Sequence, residues 1–592
     1  MKGLRVRIME FMSIRYFQGG ILLAALCCHW AWAQEYNITT VAGTGGTPGF
    51  DDGNALLTAL LNGPGQLALD SKGNLYIADA LNHRIRLLTG GNVTTVAGTG
   101  TAGWAGDGAA ATSAELNFPE GVAVDASGNI YIADTGNHVI RKVDTTGNIT
   151  TIAGTGGVVG NIGDSGPALE AQLDRPSAVA LDASGNIYIA DTGNSEIRKV
   201  VGTNIFCVLG CGISGGSLAN PNALVVDASG AIYITDSEQH SIVKYGGTPL
   251  TLTTLAGSGT INGFSGDGGP ATQALLNTPE GLAMDSAGYI YIADTLNGRV
   301  RKILKDGTIV TVAGNGIENY TGDGGPATAA SLNFPHGLAV DGKGNVYVAD
   351  NANAVIRLLT PAYPAINAGG VANSASGATT LAPGSLATAY GSYFTPVTAH
   401  ASAPLPKTLG EVSVTVNGVA APISYVNPGQ VNFQVPWETQ TGPANITVAQ
   451  AGGAGNTVSA PVAASAPGLF LTSAGTAVAQ NYPDYSLNTP SNPIAAGGIV
   501  IAYLTGIGAV IPSGAIADGA ATPASPLFNA AAGCAATIGG IAAPVGFIGL
   551  TPGYVGLAQA NITVPAGVAS GSNPLVVTCN GQASNAAAIS VK

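Results

Sequence analysis

The chain has 592 residues, of which 9% are charged and 46% are hydrophobic, and it contains 86 glycines. This length exceeds that of a typical single domain, and the apolar content excludes an intrinsically disordered chain. Acidic residues outnumber basic ones by 34 to 21, for a net charge of -13. This balance argues against nucleic acid or an anionic membrane as the partner.

The first 33 residues have the pattern of an export signal. Four basic residues precede an apolar run from Ile21 to Cys28, and Ala31-Trp32-Ala33 offers a small-residue cleavage site. The run is too short to cross a bilayer. We therefore expect a signal peptide over residues 1–33, cleaved near Ala33, and a protein without a membrane span that is secreted, periplasmic or on the cell surface.

From Pro119 to Gly154 the chain contains four short runs rich in Val, Ile, Tyr and Thr, separated by turns of Gly and Asn. This pattern predicts four antiparallel strands joined by hairpins. One Asp ends the first run, a second Asp ends the next run nine residues later, and the pair recurs six times. Repeats of this length are typical of propeller blades. The pairs are Asp70 and Asp79, Asp125 and Asp134, Asp182 and Asp191, Asp227 and Asp236, Asp285 and Asp294, and Asp341 and Asp350.

The two ends of the repeat array complement each other. An isolated run from Ile38 to Gly43 matches the fourth strand of the unit, whereas the last repeat reaches Leu359 and then Pro361 without a fourth strand of its own. Pairing these segments would complete the sixth blade and protect two sheet edges. The sequence therefore predicts a closed ring rather than an open solenoid, which would need polar capping repeats.

The repeat resembles the NHL repeat. The motif P-x-G-[LV]-A-[VM]-D-x-x-G-x-[IV]-Y-[IV]-A-D-x-x-N-x-x-[IV]-R occurs at Pro119 to Arg141 and at Pro279 to Arg301. The resemblance implies a six-bladed β-propeller over residues 34–361. It implies little about activity, because relatives with this repeat bind proteins or RNA or act as metal-dependent lyases. The acidic charge fits the RNA-binding members poorly.

One position varies within the otherwise uniform repeat. The residue after the Pro that starts each blade is polar or Gly, and we expect it to face the central channel. Glu120 and Glu280 should oppose each other there, with His336 beside Glu280. A water-filled polar channel is the expectation we favour, and a site for Ca²⁺ or Zn²⁺ on these three residues, similar to those of propeller lactonases and lyases, is the alternative. The six residues are Gly65, Glu120, Ser177, Asn222, Glu280 and His336.

Long loops connect the blades and carry Gly-Asp-Gly or Gly-Asp-Ser sequences. These could hold Ca²⁺, but we favour turns in which Asp bonds its own backbone, followed by one helical turn. The loop between Gly212 and Pro221 is much shorter than its equivalents, which predicts a notch in the rim. An Arg in the third strand is expected to pair with nearby carboxylates in every blade except the fourth, where Val243 stands. These are Arg86, Arg141, Arg198, Arg301 and Arg357.

From about residue 362 the repeat stops and two segments resemble each other. Val412 to Pro436 and Ala535 to Pro565 share a Gly-x-Ala-Ala-Pro motif, and each is followed by a strand pair. Short strands at this spacing predict two immunoglobulin-like sandwiches, residues 362–470 and 471–592. The region resembles a duplicated C-terminal module of secreted bacterial surface proteins. That resemblance implies no particular activity.

Four cysteines follow the expected signal, and export would permit disulfides. Cys534 and Cys579 flank predicted strands of the last domain, and we expect a cross-strand bond between them. Cys207 and Cys211 lie in a strand-like run, where an extended backbone would hold them too far apart to bond. Either that strand bends or both stay reduced, and we favour the reduced state. Without a nearby His they are weak candidates for a metal.

Taken together, these features predict an all-β, exported and non-catalytic binding protein. A six-bladed propeller would present a face to a protein or glycan at the cell envelope, and two sandwiches would space or anchor it. We expect a monomer. The alternative is a metal-dependent lactonase-like or lyase-like enzyme with its site at the channel mouth. A third class is a structural adhesion element.

Overall fold

The computed structural model describes residues 35–211, 218–395, 398–450, 453–513, 516–531 and 533–592. The chain divides into two compact units, one ending at Ala362 and the other beginning at Tyr363. The expected signal segment, including its cleavage point near Ala33, lies outside the described residues. Among the helices of the described part, none combines the length and apolar character needed to cross a membrane.

The first unit contains six antiparallel sheets, the blades, built from consecutive repeats. Both faces of the second strand are covered because each sheet packs between two others, and in blade 2 all five residues of Ile130–Asp134 are buried. The innermost strands contact each other in sequence around a ring, and the last also contacts the first. The repeat therefore supplies a ring with a central channel, as expected.

The strands of each blade follow one another from the channel outwards in chain order. Blade 1 has Pro64–Leu69, Leu75–Asp79, Arg84–Thr89 and Asn92–Ala97, with Gly53–Asn54 on its outer edge. Blade 2 has Pro119–Val124, Ile130–Asp134, Val139–Val143 and Ile149–Ala153. Blade 3 has Pro176–Leu181, Ile187–Asp191, Glu196–Val201 and Asn204–Leu209. Blade 4 has Pro221–Val226, Ile232–Asp236, Ser241–Gly246 and Thr251–Ala256. Blade 5 has Pro279–Met284, Ile290–Asp294, Arg299–Ile303 and Ile309–Ala313, and blade 6 has Pro335–Val340, Val346–Asp350 and Val355–Pro361.

The sixth blade takes its outer strand from the beginning of the described chain. Tyr36–Ala42 pairs antiparallel with Val355–Pro361, with Tyr36 opposite Pro361. Ile38 is fully buried, and the Tyr36 hydroxyl lies 3.0 Å from that of Tyr291 in blade 5. The predicted closure of the ring is confirmed.

Within the described residues, short 3₁₀ helices occupy two kinds of connection. Five follow the second strand of a blade: Ala80–Asn82, Thr135–Asn137, Thr192–Asn194, Thr295–Asn297 and Asn351–Asn353. Four lie in the long loops, at the predicted helical turns: Ala111–Ser113, Ala168–Glu170, Ala271–Gln273 and Ala327–Ala329. The predicted notch cannot be placed, because residues 212–217 lie outside the described part of the chain.

A buried arginine holds each long loop against its blade. In blade 2 the Arg141 side chain is fully buried and contacts Asp134 at 3.4 Å and the loop residue Asp107 at 2.6 Å. The same arrangement recurs at Arg86, Arg198, Arg301 and Arg357. The predicted carboxylate partners of these arginines are confirmed, whereas the expectation that loop aspartates bond their own backbone is wrong. Because the guanidinium compensates the loop carboxylate, a Ca²⁺ ion is not needed to balance its charge.

The second unit contains two sandwiches, each with its own buried core. In the first, one sheet has Ala365–Asn373, Leu386–Ser392, Gln430–Gln434, Ile423–Asn427 and Ala399–His400, and the other has Thr408–Leu409, Val412–Val416, Val419–Ala421, Gly442–Gln450 and Gly453–Val462. In the second, one sheet has Gly468–Leu469, Ala479–Tyr482, Ser486–Leu487, Ile499–Thr505, Val510–Ile511, Asn529–Ala530, Val545–Leu550 and Ala558–Thr563, and the other has Cys534–Ile538, Ile541–Ala543, Gly571–Cys579, Gln582–Ala583 and Ala587–Val591.

The two sandwiches repeat one strand order. Leu386–Ser392 pairs with Gln430–Gln434, as Ile499–Thr505 pairs with Ala558–Thr563. They also join each other through buried polar groups. The backbone N–H of Gly519 donates to Gln434 Oε1 at 2.7 Å, and that of Leu386 donates to Thr505 Oγ1 at 2.9 Å. The internal similarity of the sequence therefore corresponds to a structural duplication whose copies are packed together.

Both pairs of cysteines form disulfides. Cys534 and Cys579 lie opposite each other on neighbouring strands, as predicted, with their Cα atoms 4.2 Å apart. The expectation that Cys207 and Cys211 stay reduced is wrong. The outer strand of blade 3 ends at Leu209, and Gly210 adopts a φ of +91°, which only Gly accepts readily. The resulting bend brings the Cα atoms of the two cysteines to 5.8 Å, so the bent alternative is the observed one.

Replacement of both Cys534 and Cys579 by Ala is expected to lower the free energy of unfolding of the second unit by about 2 to 4 kcal/mol, because the bond restricts the unfolded chain. Chemical denaturation measures this change. The transition of the first unit, which has separate cores, provides the internal control. An unchanged second transition would contradict the prediction.

Candidate functional site

The six variable residues occupy equivalent places around the channel. Each is the second residue of an innermost strand, at the end where the long loops enter. In blade 2 the register shifts between Pro119 and Gly121, so Glu120 lies at a β-bulge, and the same irregularity follows the starting Pro in every blade. Bulges turn a side chain out of the regular ladder. The channel mouth is therefore ringed by side chains that sheet pairing does not constrain.

Glycine after the variable residue allows the innermost strands to approach closely. A Cβ at Gly121 would lie 2.6 Å from the Ser177 carbonyl oxygen, and one at Gly281 would overlap the His336 carbonyl. A Cβ at Gly65 would lie 2.7 Å from the carbonyl of Glu120. These contacts explain why Gly follows the variable residue in blades 2, 5 and 6 and why position 65 has no room for a side chain.

Glu280 and His336, on the neighbouring blades 5 and 6, lie close together at the mouth, and Glu120 belongs to blade 2, which stands opposite blade 5 in the ring. His336 Nε2 lies 3.6 Å from Glu280 Oε2, and both side chains are mostly buried. Burial raises the pKa of Glu120, and the Glu280 charge adds to this rise, while His336 and Arg175 oppose it. Both Glu280 and His336 therefore act electrostatically on the Glu120 carboxyl group. The sequence analysis missed Arg175, although it is the only basic residue that directly precedes a starting Pro.

Ser177 and Asn222 differ in whether their side chains already have hydrogen-bond partners. The Ser177 hydroxyl is 2.6 Å from Thr192 Oγ1 and donates to the Asn222 carbonyl at 2.7 Å, so it joins blades 3 and 4. In contrast, Asn222 Oδ1 is buried with no hydrogen-bond partner among the described residues, and the same holds for His336 Nδ1. Two polar atoms near the mouth thus remain unsatisfied.

A cavity of about 360 Å³ lies in the channel and is lined by all six innermost strands. Its walls are formed by runs such as Ala178 to Leu181, Ala223 to Val226 and Leu282 to Met284. The lining is mainly Ala, Leu and Val, with Gln66 as its polar side chain. Backbone polar groups of the same strands line this part together with the apolar side chains, so the expectation of a polar, water-filled channel stays a prediction.

The mouth does not present a ready set of metal ligands. Across the described residues, the set of three His, Cys, Asp or Glu donor atoms lying within 4.8 Å of one another is Asp164, Glu196 and Cys207, at the outer edge of blade 3. Glu120, Glu280 and His336 do not form such a set.

Comparison with known proteins supports the repeat. The model of the Teneurin NHL domain matches residues 90–162 and 261–318, and the NHL repeat model matches residues 173–200 and 332–356. The chain is 30% identical over 325 residues to Protein SUPPRESSOR OF QUENCHING 1, chloroplastic, from Arabidopsis thaliana, covering 54% of this chain and 26% of that protein. It is 27% identical over 334 residues to Teneurin-3 from Mus musculus, covering 50% of this chain and 10% of that protein.

Among solved structures, a protein of unknown function from Bacteroides thetaiotaomicron aligns with 23% identity and a TM-score of 0.43, over 55% of this chain and 76% of its own. The chain spans about a quarter of the plant protein and a tenth of the teneurin. These alignments assign no activity. The matches to the repeat models agree with the six repeats and the six sheets, and the chain therefore contains NHL repeats.

Proposed function

We propose that this protein is an exported, non-catalytic binding protein whose propeller recognises a protein or glycan ligand at the channel mouth. The observation that carries the proposal is the pair of buried and unpartnered polar atoms, Asn222 Oδ1 and His336 Nδ1. A buried polar group without a partner costs about 1 to 3 kcal/mol. A small side-chain rotation at Asn222 or His336 that turns the atom into the mouth would let a ligand bond it and offset that cost.

The chemistry of the mouth constrains the ligand. Glu120, Glu280 and Asn222 Oδ1 accept hydrogen bonds, so the ligand should present donors, such as sugar hydroxyls or the amide and ammonium groups of a protein. The cavity beneath, lined by Ala, Leu and Val side chains and by backbone polar groups, can take a short aliphatic or ring portion of the same ligand. Polar groups at the mouth would then provide orientation, and the wall would provide apolar contact.

The second unit supports an attachment role in this proposal. We propose that its two sandwiches are immunoglobulin-like modules that space the propeller from the cell envelope or join it to another protein there. The disulfides suit an oxidising compartment outside the cytoplasm. We further propose that the protein acts as a monomer, with domains at residues 34–361, 362–470 and 471–592.

Replacement of both Glu120 and Glu280 by Gln is expected to weaken ligand binding at least tenfold, because each change removes a charge from a partly desolvated acceptor. Peptide and glycan arrays probed with the full chain would identify the ligand, and titration would measure its affinity. Glu318→Gln, on an exposed long loop, serves as the matched control. Equal binding by the double variant and the control would overturn the proposal.

The same samples test the enzyme alternative. The specific observation in its favour is the Glu280–His336 pair at the channel mouth, which acts electrostatically on Glu120 of the opposite blade. Elemental analysis should find no divalent ion whose amount changes with the double substitution. A stoichiometric ion that is present in the natural protein and the control but lost in the double variant would instead support a metal-dependent enzyme.

A further inference from the structure

Blade 3 departs from the repeat at two neighbouring positions. In the five other blades a Thr pairs with the residue at the arginine position: Thr95, Thr151, Thr254, Thr311 and Thr40. In blade 3 Cys207 pairs with Arg198 instead. The first residue of the third strand is Arg, Val or Ser elsewhere, whereas here it is Glu196, directly opposite Asp191. Blade 3 thus places a thiol-bearing residue and an additional carboxylate where the other blades have neither.

Glu196 lacks a partner for one of its oxygens. Its residue is 7% exposed, and Oε2 is buried with no hydrogen-bond partner among the described residues. Burial raises the pKa of Glu196, and the Asp164 charge adds to the rise while Arg198 opposes it. Two carboxylates that face each other across a strand pair destabilise a sheet. Arg198 is the positive charge close to Glu196, and the Glu196 Oε2 atom still lacks a bonding partner.

The donor atoms of three residues converge at this point. The carboxylate oxygens of Asp164 and Glu196 and Cys207 Sγ lie within 4.8 Å of one another. Cys211 Sγ is adjacent because it is bonded to Cys207 Sγ. Arg198 Nε and Nη2 both contact Asp164 Oδ1, which leaves the second Asp164 oxygen outside that ion pair. Two sulfurs and two carboxylates are thus within reach of a single point.

We propose that the reduced Cys207–Cys211 pair, together with Glu196 and Asp164, binds one zinc-class divalent cation. Zinc-class ions take four ligands from thiolates, imidazoles and carboxylates in a tetrahedral arrangement. The Cα atoms of Cys207 and Cys211 are already 5.8 Å apart, so both sulfurs can face the same ion without large movement of the backbone. The cation would bond the Glu196 oxygen that has no partner.

The disulfide controls access to this site, because bonded sulfurs cannot ligate as thiolates. A dithiol reductant would supply two electrons and two protons, which break the S–S bond to give two Cys thiols while the reductant becomes a disulfide. Binding of the ion then releases two protons from these thiols and leaves two thiolate ligands. In the oxidised protein, therefore, the two sulfurs cannot bind the ion.

Cobalt(II) provides the test, because bonds from thiolate to cobalt absorb in the near ultraviolet. The full chain is reduced with dithiothreitol, freed of reductant without air and titrated with Co²⁺. We expect one equivalent to bind with this absorption, and at least about tenfold weaker binding in Glu196→Gln. Cys207→Ser, which keeps every other cysteine, should bind Co²⁺ more weakly and give a smaller absorption, because one of the two thiolate ligands is removed. Glu170→Gln, on an exposed loop of the same blade, should match the natural protein.

The proposal fails if the reduced natural protein and Cys207→Ser give the same spectrum and affinity, or if the oxidised protein binds Co²⁺ as tightly as the reduced one. Circular dichroism establishes the fold of each variant. If Cys207→Ser does not fold, Glu196→Gln decides the question, because it retains both sulfurs and changes one oxygen ligand. Unchanged affinity in a folded Glu196→Gln would also overturn the proposal.

Discussion

Replacement of Ile38 by Asp is expected to remove about 4 kcal/mol or more of the free energy of unfolding of the first unit. Ile38 is fully buried in the strand that completes blade 6, and its backbone N–H donates to the Gly325 carbonyl in a long loop at 3.0 Å. The substitution removes apolar contacts and places a charge in the core. Because this strand joins the two ends of the ring, we expect the loss to affect all six blades together.

Thr39→Asp is the matched control for this prediction. Thr39 belongs to the same strand but is exposed, so the same charge is introduced on the solvent side with an expected change within about 0.5 kcal/mol. Thermal and chemical denaturation measure both variants. Equal stability of Ile38→Asp and Thr39→Asp would mean that the strand contributes little to closure, and the ring would have to be stable without it.

Replacement of Arg141 by Met is expected to cost about 3 to 5 kcal/mol of stability, because it leaves the Asp134 carboxylate buried without its cationic partner. Both side chains are fully buried. Asp107→Asn, which removes the half-exposed partner of the same arginine, should cost about 1 kcal/mol or less. Chemical denaturation measures the loss of stability in both variants. Similar losses would contradict the prediction that the buried Arg141–Asp134 pair contributes more to stability than the half-exposed Arg141–Asp107 pair.

The pH dependence of Arg141→Met separates lost charge from lost packing. Burial raises the pKa of Asp134 to about 6, and Arg141 is among the groups that limit this rise. Without Arg141 the folded-state pKa rises further above the unfolded value, so the folded variant binds the proton at higher pH. The stability deficit should therefore be largest near pH 8 and shrink as the pH falls towards 5. A deficit that does not vary with pH would indicate that packing alone is lost.

Blade 4 shows how the fold accommodates the absence of this arginine. Val243 stands at the arginine position, yet Asp236 is 2% exposed. The backbone N–H groups of Ala219 and Asn220 donate to its carboxylate at 3.0 Å and 2.9 Å. Hydrogen bonds to the charged form thus replace the ion pair in this blade.

The features that follow from local sequence patterns could be predicted from the sequence alone. Alternating apolar residues and Gly-Asn turns predicted the strands of each blade, and the isolated run at Ile38 predicted the closing strand. The arginine position predicted its carboxylate partners because the acids recur at fixed distances from it. In these cases the spacing along the chain determines the spacing in the sheet.

The features that the sequence left open depend on bends and on contacts between distant segments. The disulfide at Cys207 requires the turn at Gly210. A Gly with positive φ follows the outer strand of every blade, so the repeated Gly was a signal for this bend that the sequence analysis missed. The bulge at Glu120 and the channel wall arise from the packing of six strands around one axis. The cluster of Asp164, Glu196 and Cys207 joins a long loop to two strands, so no short stretch of sequence contains it.

The pairing of the first described strand with the last blade also sets an order of events during translation. Thr360 follows its partner Asn37 by 323 residues, so the nascent chain must carry an unpaired strand until the sixth repeat has been synthesised. Contacts this distant slow folding and expose edges meanwhile. The residues after Ala362 are synthesised after the sixth repeat. The time that their synthesis takes is available for the ring to close.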